Sequence, residues 1–207
     1  MLRLGLTGGI ASGKSAVAAM LREMGFAVLD ADSLAHKLIE PGQPAYDEVL
    51  QEFGPSVIAP GGRVDRAKLS AIVFNDRARL DRLNAIVHPR VAEVIFSQFE
   101  LWRRAGVRDA VFVEAALLIE SGIHKKLDGL IVSWCSPAQQ IERLLARGLS
   151  EAEARRRITA QLPVDEKLLL ATEKIDCSSS LEETRRQVEA FAAKLRTRAG
   201  ARIIALG

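Results

Sequence analysis

Apolar residues along the chain fall into short runs separated by stretches with a helical beat. Leu2-Arg3-Leu4-Gly5-Leu6 reads as a short strand, and Ser15-Ala16-Val17-Ala18-Ala19-Met20-Leu21 reads as a helix that stops at Gly25. Ala27-Val28-Leu29 predicts a second strand ending at Asp30-Ala31-Asp32. From Ser33 to about Gly106 no clear strand is legible. Pro41-Gly42, Pro44, Pro60-Gly61-Gly62 and His88-Pro89 read as breaks, and beyond them Val91, Ile95, Phe99 and Trp102 form one helical stripe. Strand character returns at Ala110 to Glu114, at Leu130 to Ser133 and weakly at Lys174 to Cys177. Ser136 with Gln139, Ser150 with Glu153 and Ser180 with Glu183 have capping-box spacing, and Pro137 sits where a first helical turn tolerates proline. Short apolar strands alternating with helices predict an α/β fold on a parallel sheet covered on both faces. Arg196 to Gly207 is the least readable stretch and is expected to be partly disordered.

Composition adds limits. With 207 residues, 48% apolar and 27% charged, the chain has the ordinary mix of a globular protein with a real core. A net charge of +3 is too small to argue for nucleic acid or a membrane surface as partner. Cys135 and Cys177 lack metal-ligand spacing and read as buried or free thiols of a reducing cytoplasm. The glycine-rich stretch after Leu6 stands where a signal peptide needs its apolar region. Val111 to Ile119, the most apolar run, is interrupted by Glu114 and is far too short to span a membrane.

The chemistry centres on Gly8-Gly9-Ile10-Ala11-Ser12-Gly13-Lys14-Ser15, a G-x-x-x-x-G-K-[ST] sequence between a strand and a helix. Glycines let backbone N–H groups turn inward onto phosphate oxygens, and the helix N-terminus adds its positive dipole end. Lys14 is expected to be a solvent-facing ammonium that meets the outer phosphates, and the Ser15 hydroxyl suits Mg²⁺. Asp30 and Asp32 close the second strand, at the edge where open α/β sheets bind ligands. Asp32 is placed as the carboxylate that orients or deprotonates an attacking hydroxyl, and Asp30 as a structural residue; the bland alternative for such an Asp is a helix cap.

LGLTGGIASGKS, DADSLAHKL, RLDRLNAIVHPRV, VEAALLIESG, SPAQQIERLLAR and RITAQL together resemble the dephospho-coenzyme A kinase family, over nearly the whole chain to about Ala190. The resemblance implies ATP-dependent phosphorylation of the ribose 3′-hydroxyl of dephospho-CoA, the last step of coenzyme A synthesis, in the cytoplasm. It implies an α/β P-loop kinase core with a five-stranded parallel sheet over 1–32 and 107–207, a helical substrate domain inserted over 33–106, and a small lid at about 148–172. Lys14 and Ser15 match the nucleotide and Mg²⁺ positions and Asp32 the catalytic base. Arg66 and His88 match positions in the substrate domain, and Arg143 and Arg147 match arginines that face the nucleotide. Partners are then ATP and dephospho-CoA, with no nucleic acid or membrane, in a monomer or weak homo-oligomer. Departures from the family pattern are Ala11 for a glycine, Ala116 for a proline, and Cys177-Ser178-Ser179-Ser180 for an Asn- and Gly-containing turn near the adenine pocket.

Other residues carry a functional and a plain reading. Glu114 suits a Walker B acid or a simple strand-end carboxylate. Glu120 is expected to be exposed on a helix rather than paired with a site arginine. His88 suits a substrate contact or a histidine at a helix start. Arg155-Arg156-Arg157 reads mostly as a solvated face from which one arginine swings onto phosphate. Trp102 reads as core, and Trp134 is ambiguous. A nucleoside monophosphate-type small-molecule kinase is the alternative activity. A GTPase-like switch would need an Asn-Lys-x-Asp signature, which the chain lacks.

Overall fold

In the computed structural model, residues 1–197 are described. Five strands are present, β1 Leu2–Gly8, β2 Ala27–Asp30, β3 Ala110–Glu114, β4 Gly129–Trp134 and β5 Glu173–Asp176. All pairings are parallel, in the order β2-β3-β1-β4-β5. The alternation of apolar runs with helices therefore reads correctly as a parallel sheet. The chain divides into two compact units, one of Met1–Asp30 with the residues from Phe99 onward, the other of Ala31–Gln98.

In the first unit, α1 (Lys14–Glu23), α6 (Pro137–Ala146), α7 (Glu151–Thr159), α8 (Val164–Leu169) and α9 (Leu181–Arg196) accompany the sheet. β3 is buried at all five positions, as a central parallel strand requires. Phe112 anchors one core with Leu4, Leu6, Val17, Leu21, Ile131, Ile175, Val188 and Phe191. Its ring meets Phe26 edge-on at 5.5 Å and Phe191 at 6.4 Å between centroids. Ser136 and Gln139 form both halves of a capping box at α6, with Pro137 as its first residue. The Ser150 and Ser180 side chains accept the backbone N–H groups of Glu153 and Glu183 at the starts of α7 and α9.

The second unit holds α2 (Ala31–Leu38), α3 (Tyr46–Phe53), α4 (Arg66–Val73) and most of α5 (Arg77–Arg104), with one isolated antiparallel bridge, Ile58 to Val64. Asp65 caps α4 by accepting from Ala67 N and Lys68 N, both at 3.1 Å. His88-Pro89 is not a break, contrary to the sequence reading. Both residues lie inside α5, which runs 28 residues through them. Proline removes one backbone donor there, yet Val87, Val91 and Ile95 keep the helix anchored on both sides of it by burial. Among the described residues no helix is long and apolar enough to cross a membrane. The expectation of disorder over Arg196 to Gly207 falls, beyond Thr197, outside the described residues.

Candidate active site

The sheet order places β1 between β3 and β4, with the strand directions bringing all carboxyl ends to one edge. In register, Leu6 stands beside Glu114, Asp30 beside Glu114, Gly8 beside Ser133, and Trp134 beside Asp176. The glycine loop leaves β1 at that edge, and Lys14 is the first residue of α1. Gly13 takes φ +95°, and a Cβ on it would lie 2.7 Å from Cys177 Cβ. A Cβ on Gly8 would lie 2.4 Å from the Ser133 carbonyl oxygen. Ala11, not a glycine, also takes a positive φ, +59°. Its methyl packs in a small cluster with Leu144 and Ala154, which offsets the local strain.

Side chains from three directions hold the outward-facing backbone of this loop. Gln140 Nε2 donates to Ile10 O at 2.7 Å, and Gln161 Oε1 accepts from Ile10 N at 2.8 Å. Arg143 donates to Ala11 O at 3.1 Å and to Cys177 O at 2.6 Å. The hydroxyls of Ser12 and Ser133 lie 3.1 Å apart, and Ser133 donates to Thr7 O. Two loop carbonyls and the Ile10 N–H are thereby held, which fixes the backbone of the loop. Sequence reading missed Gln140, buried on α6, and Gln161, in the bend between α7 and α8, because a single glutamine carries no periodic or motif signal.

Lys14 departs from its expected solvent-facing state. Its side chain is only 12% exposed and lies 3.1 Å from Oε1 of Glu114. Glu114 is buried at 3%, and Arg22 stands 3.3 Å from its other oxygen. A carboxylate that deep draws in whatever cation can reach it.

Arg143 and Arg147 line a cavity of about 290 Å³ together with Ala11, Gly13, Cys177 and Leu181. Arg147 is exposed at the end of α6. Cys135 and Cys177 are free and buried, as expected. Burial pushes the Cys177 thiol up to about 11, and it also raises Cys135. Arg155 and Arg157 pair along α7 with Glu151 and Glu153, as on a solvated face. Trp102 packs beside Phe99.

In the second unit, Asp32 lies inside the first turn of α2, one residue past its start, so it is not the residue ahead of the helix. Arg66 opens α4 and reaches Glu40 at 3.3 Å with about half its side chain exposed. His88 is half-buried in the middle of α5.

Glu120 is exposed, as expected, but in a turn rather than on a helix, and its side chain, 22% exposed, pairs at 2.8 Å with the fully buried Lys167. Lys167 also donates to Ala116 O, the acceptor of the Thr7 hydroxyl, and Glu120 accepts from Leu162 N. A buried ammonium draws a carboxylate out of solvent. Asp165-Glu166-Lys167 looks like an ordinary polar face, so its sequence gave no warning.

Comparison with known proteins agrees with this geometry. The profile of the dephospho-CoA kinase family matches residues 2–183. The dephospho-CoA kinase of Symbiobacterium thermophilum is 50% identical over 188 residues, covering 90% of this chain and 78% of that protein. Among solved structures, TT1252 from Thermus thermophilus is 36% identical with a TM-score of 0.79, covering 95% of this chain and 98% of the other. The dephospho-CoA kinase from Campylobacter jejuni is 26% identical with a TM-score of 0.67, covering 93% and 96%.

Proposed function

The chain belongs to the dephospho-CoA kinase family, and from that premise we propose how its residues divide the work of phosphoryl transfer. The reaction moves the γ-phosphoryl group of ATP to the 3′-hydroxyl of dephospho-CoA and completes coenzyme A. Little covalent chemistry is needed, so positioning and electrostatics carry the rate.

Gly8 to Lys14 cradle the phosphates of ATP through backbone N–H groups, and Lys14 neutralises charge on the transferring group. The observation that carries this reading is the loop's outer backbone, tied down at Ile10 and Ala11 by Gln140, Gln161 and Arg143. Such a loop is set for an anion before one arrives. Ser15 is exposed in the first turn of α1, a hard oxygen donor that fits Mg²⁺. Among the described residues no group of three acidic, His or Cys side chains could hold a metal ion. Mg²⁺ when bound supplies charge neutralisation at the phosphates.

Asp32 orients the acceptor hydroxyl and takes its proton as the new P–O bond forms. Arg66 and His88 hold the anionic acceptor. Arg143 stabilises charge at the phosphates while it braces the loop, and Arg147 faces the nucleotide across the cavity. The stretch at about 148–172 acts as the lid. We place the protein in the cytoplasm as a monomer or weak homo-oligomer, which suits its two free thiols.

The direct test is phosphoryl transfer from ATP to dephospho-CoA with the phosphate position mapped in the product. Nucleoside monophosphates serve as competing acceptors. Phosphate on the ribose 3′-oxygen is expected; preference for a nucleoside monophosphate would support the alternative kinase.

A further inference from the structure

Glu114 holds two cations, one on each carboxylate oxygen. Lys14 lies 3.1 Å from Oε1 and Arg22 lies 3.3 Å from Oε2. The Glu114 side chain is 4% exposed, so its charge needs a partner at all times. A phosphate in the loop competes with this carboxylate for the Lys14 ammonium. Its departure is tolerable only if another cation remains.

We propose that Arg22 is a positioning residue that stays on Glu114 and so frees Lys14 for the phosphates of ATP. Arg22 occupies the last turn of the helix that Lys14 opens. The same guanidinium nitrogen also donates to Val28 O at 3.4 Å, which ties it to β2. Arg22 is therefore anchored by the neighbouring strand and needs no phosphate to hold it in place. The inference rests on Lys14 being the phosphate lysine.

Without Arg22, Lys14 becomes the remaining of these two cations on Glu114, and ATP must draw it away from a buried, newly uncompensated charge. Arg22→Ala is expected to raise the Kd and KM for ATP about tenfold, while kcat at saturating ATP changes less than threefold. Arg22→Lys, which keeps the charge, stays within about threefold of the parent. The decisive comparison uses Glu114→Gln, whose neutral amide lacks the charge that holds Lys14. In that background Arg22→Ala is expected to change the Kd for ATP less than twofold. An unchanged Kd in Arg22→Ala, or a tenfold loss that persists beside Glu114→Gln, overturns the proposal. If Arg22→Ala does not fold, Arg22→Gln repeats the cycle with the charge alone removed. Lys14→Ala separates the two levels. Normal turnover there removes the phosphate-lysine assignment. Lost turnover there, with a normal Kd in Arg22→Ala, removes only the role of Arg22.

Discussion

Lys14 does two things that pull against each other. In the protein alone it neutralises a buried carboxylate, and in the proposed reaction it neutralises phosphate. Lys14→Ala should therefore lower turnover about 10²–10³-fold, the usual cost of one lost charge-stabilising donor. It should also lower stability by about 1–3 kcal/mol, because Glu114 loses a hydrogen-bond donor. Turnover assays and denaturant melts on the same preparation read both. Asp32 poses a cleaner question. Asp32→Asn keeps the shape of the side chain and loses the proton acceptor. A fall in kcat of about 10²–10⁴-fold with unchanged ATP affinity is expected. Equal loss of ATP affinity would recast Asp32 as a nucleotide or metal ligand.

Elements were legible where the signal was local. The apolar runs at Leu2, Ala27, Ala110, Leu130 and Lys174 became strands, β3 with the expected ends and the others with ends shifted by at most two residues. Ser136 and Gln139 announced a helix start because the capping box is complete within four residues. The glycine loop was legible for the same reason. His88-Pro89 misled because a proline states only which donor is missing, and the burial that carries α5 across it is set by distant residues. The grip of Gln140, Gln161 and Arg143 on the loop was illegible, since each partner lies more than a hundred residues away. Glu120 and Lys167 are likewise joined by the fold alone. Their pair locks α8 to the segment after β3. Lys167→Ala removes the buried ammonium's hydrogen bonds to Ala116 O and Glu120 and is expected to cost about 1–3 kcal/mol. Equilibrium denaturation measures it; a loss below about 1 kcal/mol would make the pair incidental.

At the scale of the molecule, the two compact units suggest a division of labour. The first contains the glycine loop and the cavity lined by Arg143 and Arg147; the second contains Arg66 and His88. Alanine at Arg66 or His88 should raise the KM for dephospho-CoA by about tenfold, roughly the loss of one charge-assisted hydrogen bond. The KM for ATP should hardly move. Steady-state kinetics with each substrate varied in turn decides it. Loss of ATP affinity with normal acceptor affinity would reverse the assignment.

The central place of β1 also has a consequence in time. Its two neighbours come late in the chain: Leu2 pairs with Ala110, and Gly8 with Ser133. On a ribosome making about 5–20 residues per second, the first strand waits roughly 5–20 s before the first of its partners exists. During that interval its edges are unpaired, while the helices of the second unit form from contacts close in sequence. The nucleotide loop, though encoded first, gains its bracing residues last. Gln161 is not yet translated when both neighbours of β1 are already made. The proposed phosphate cradle is thus written at the beginning of the chain and braced only after both neighbours of β1 are made.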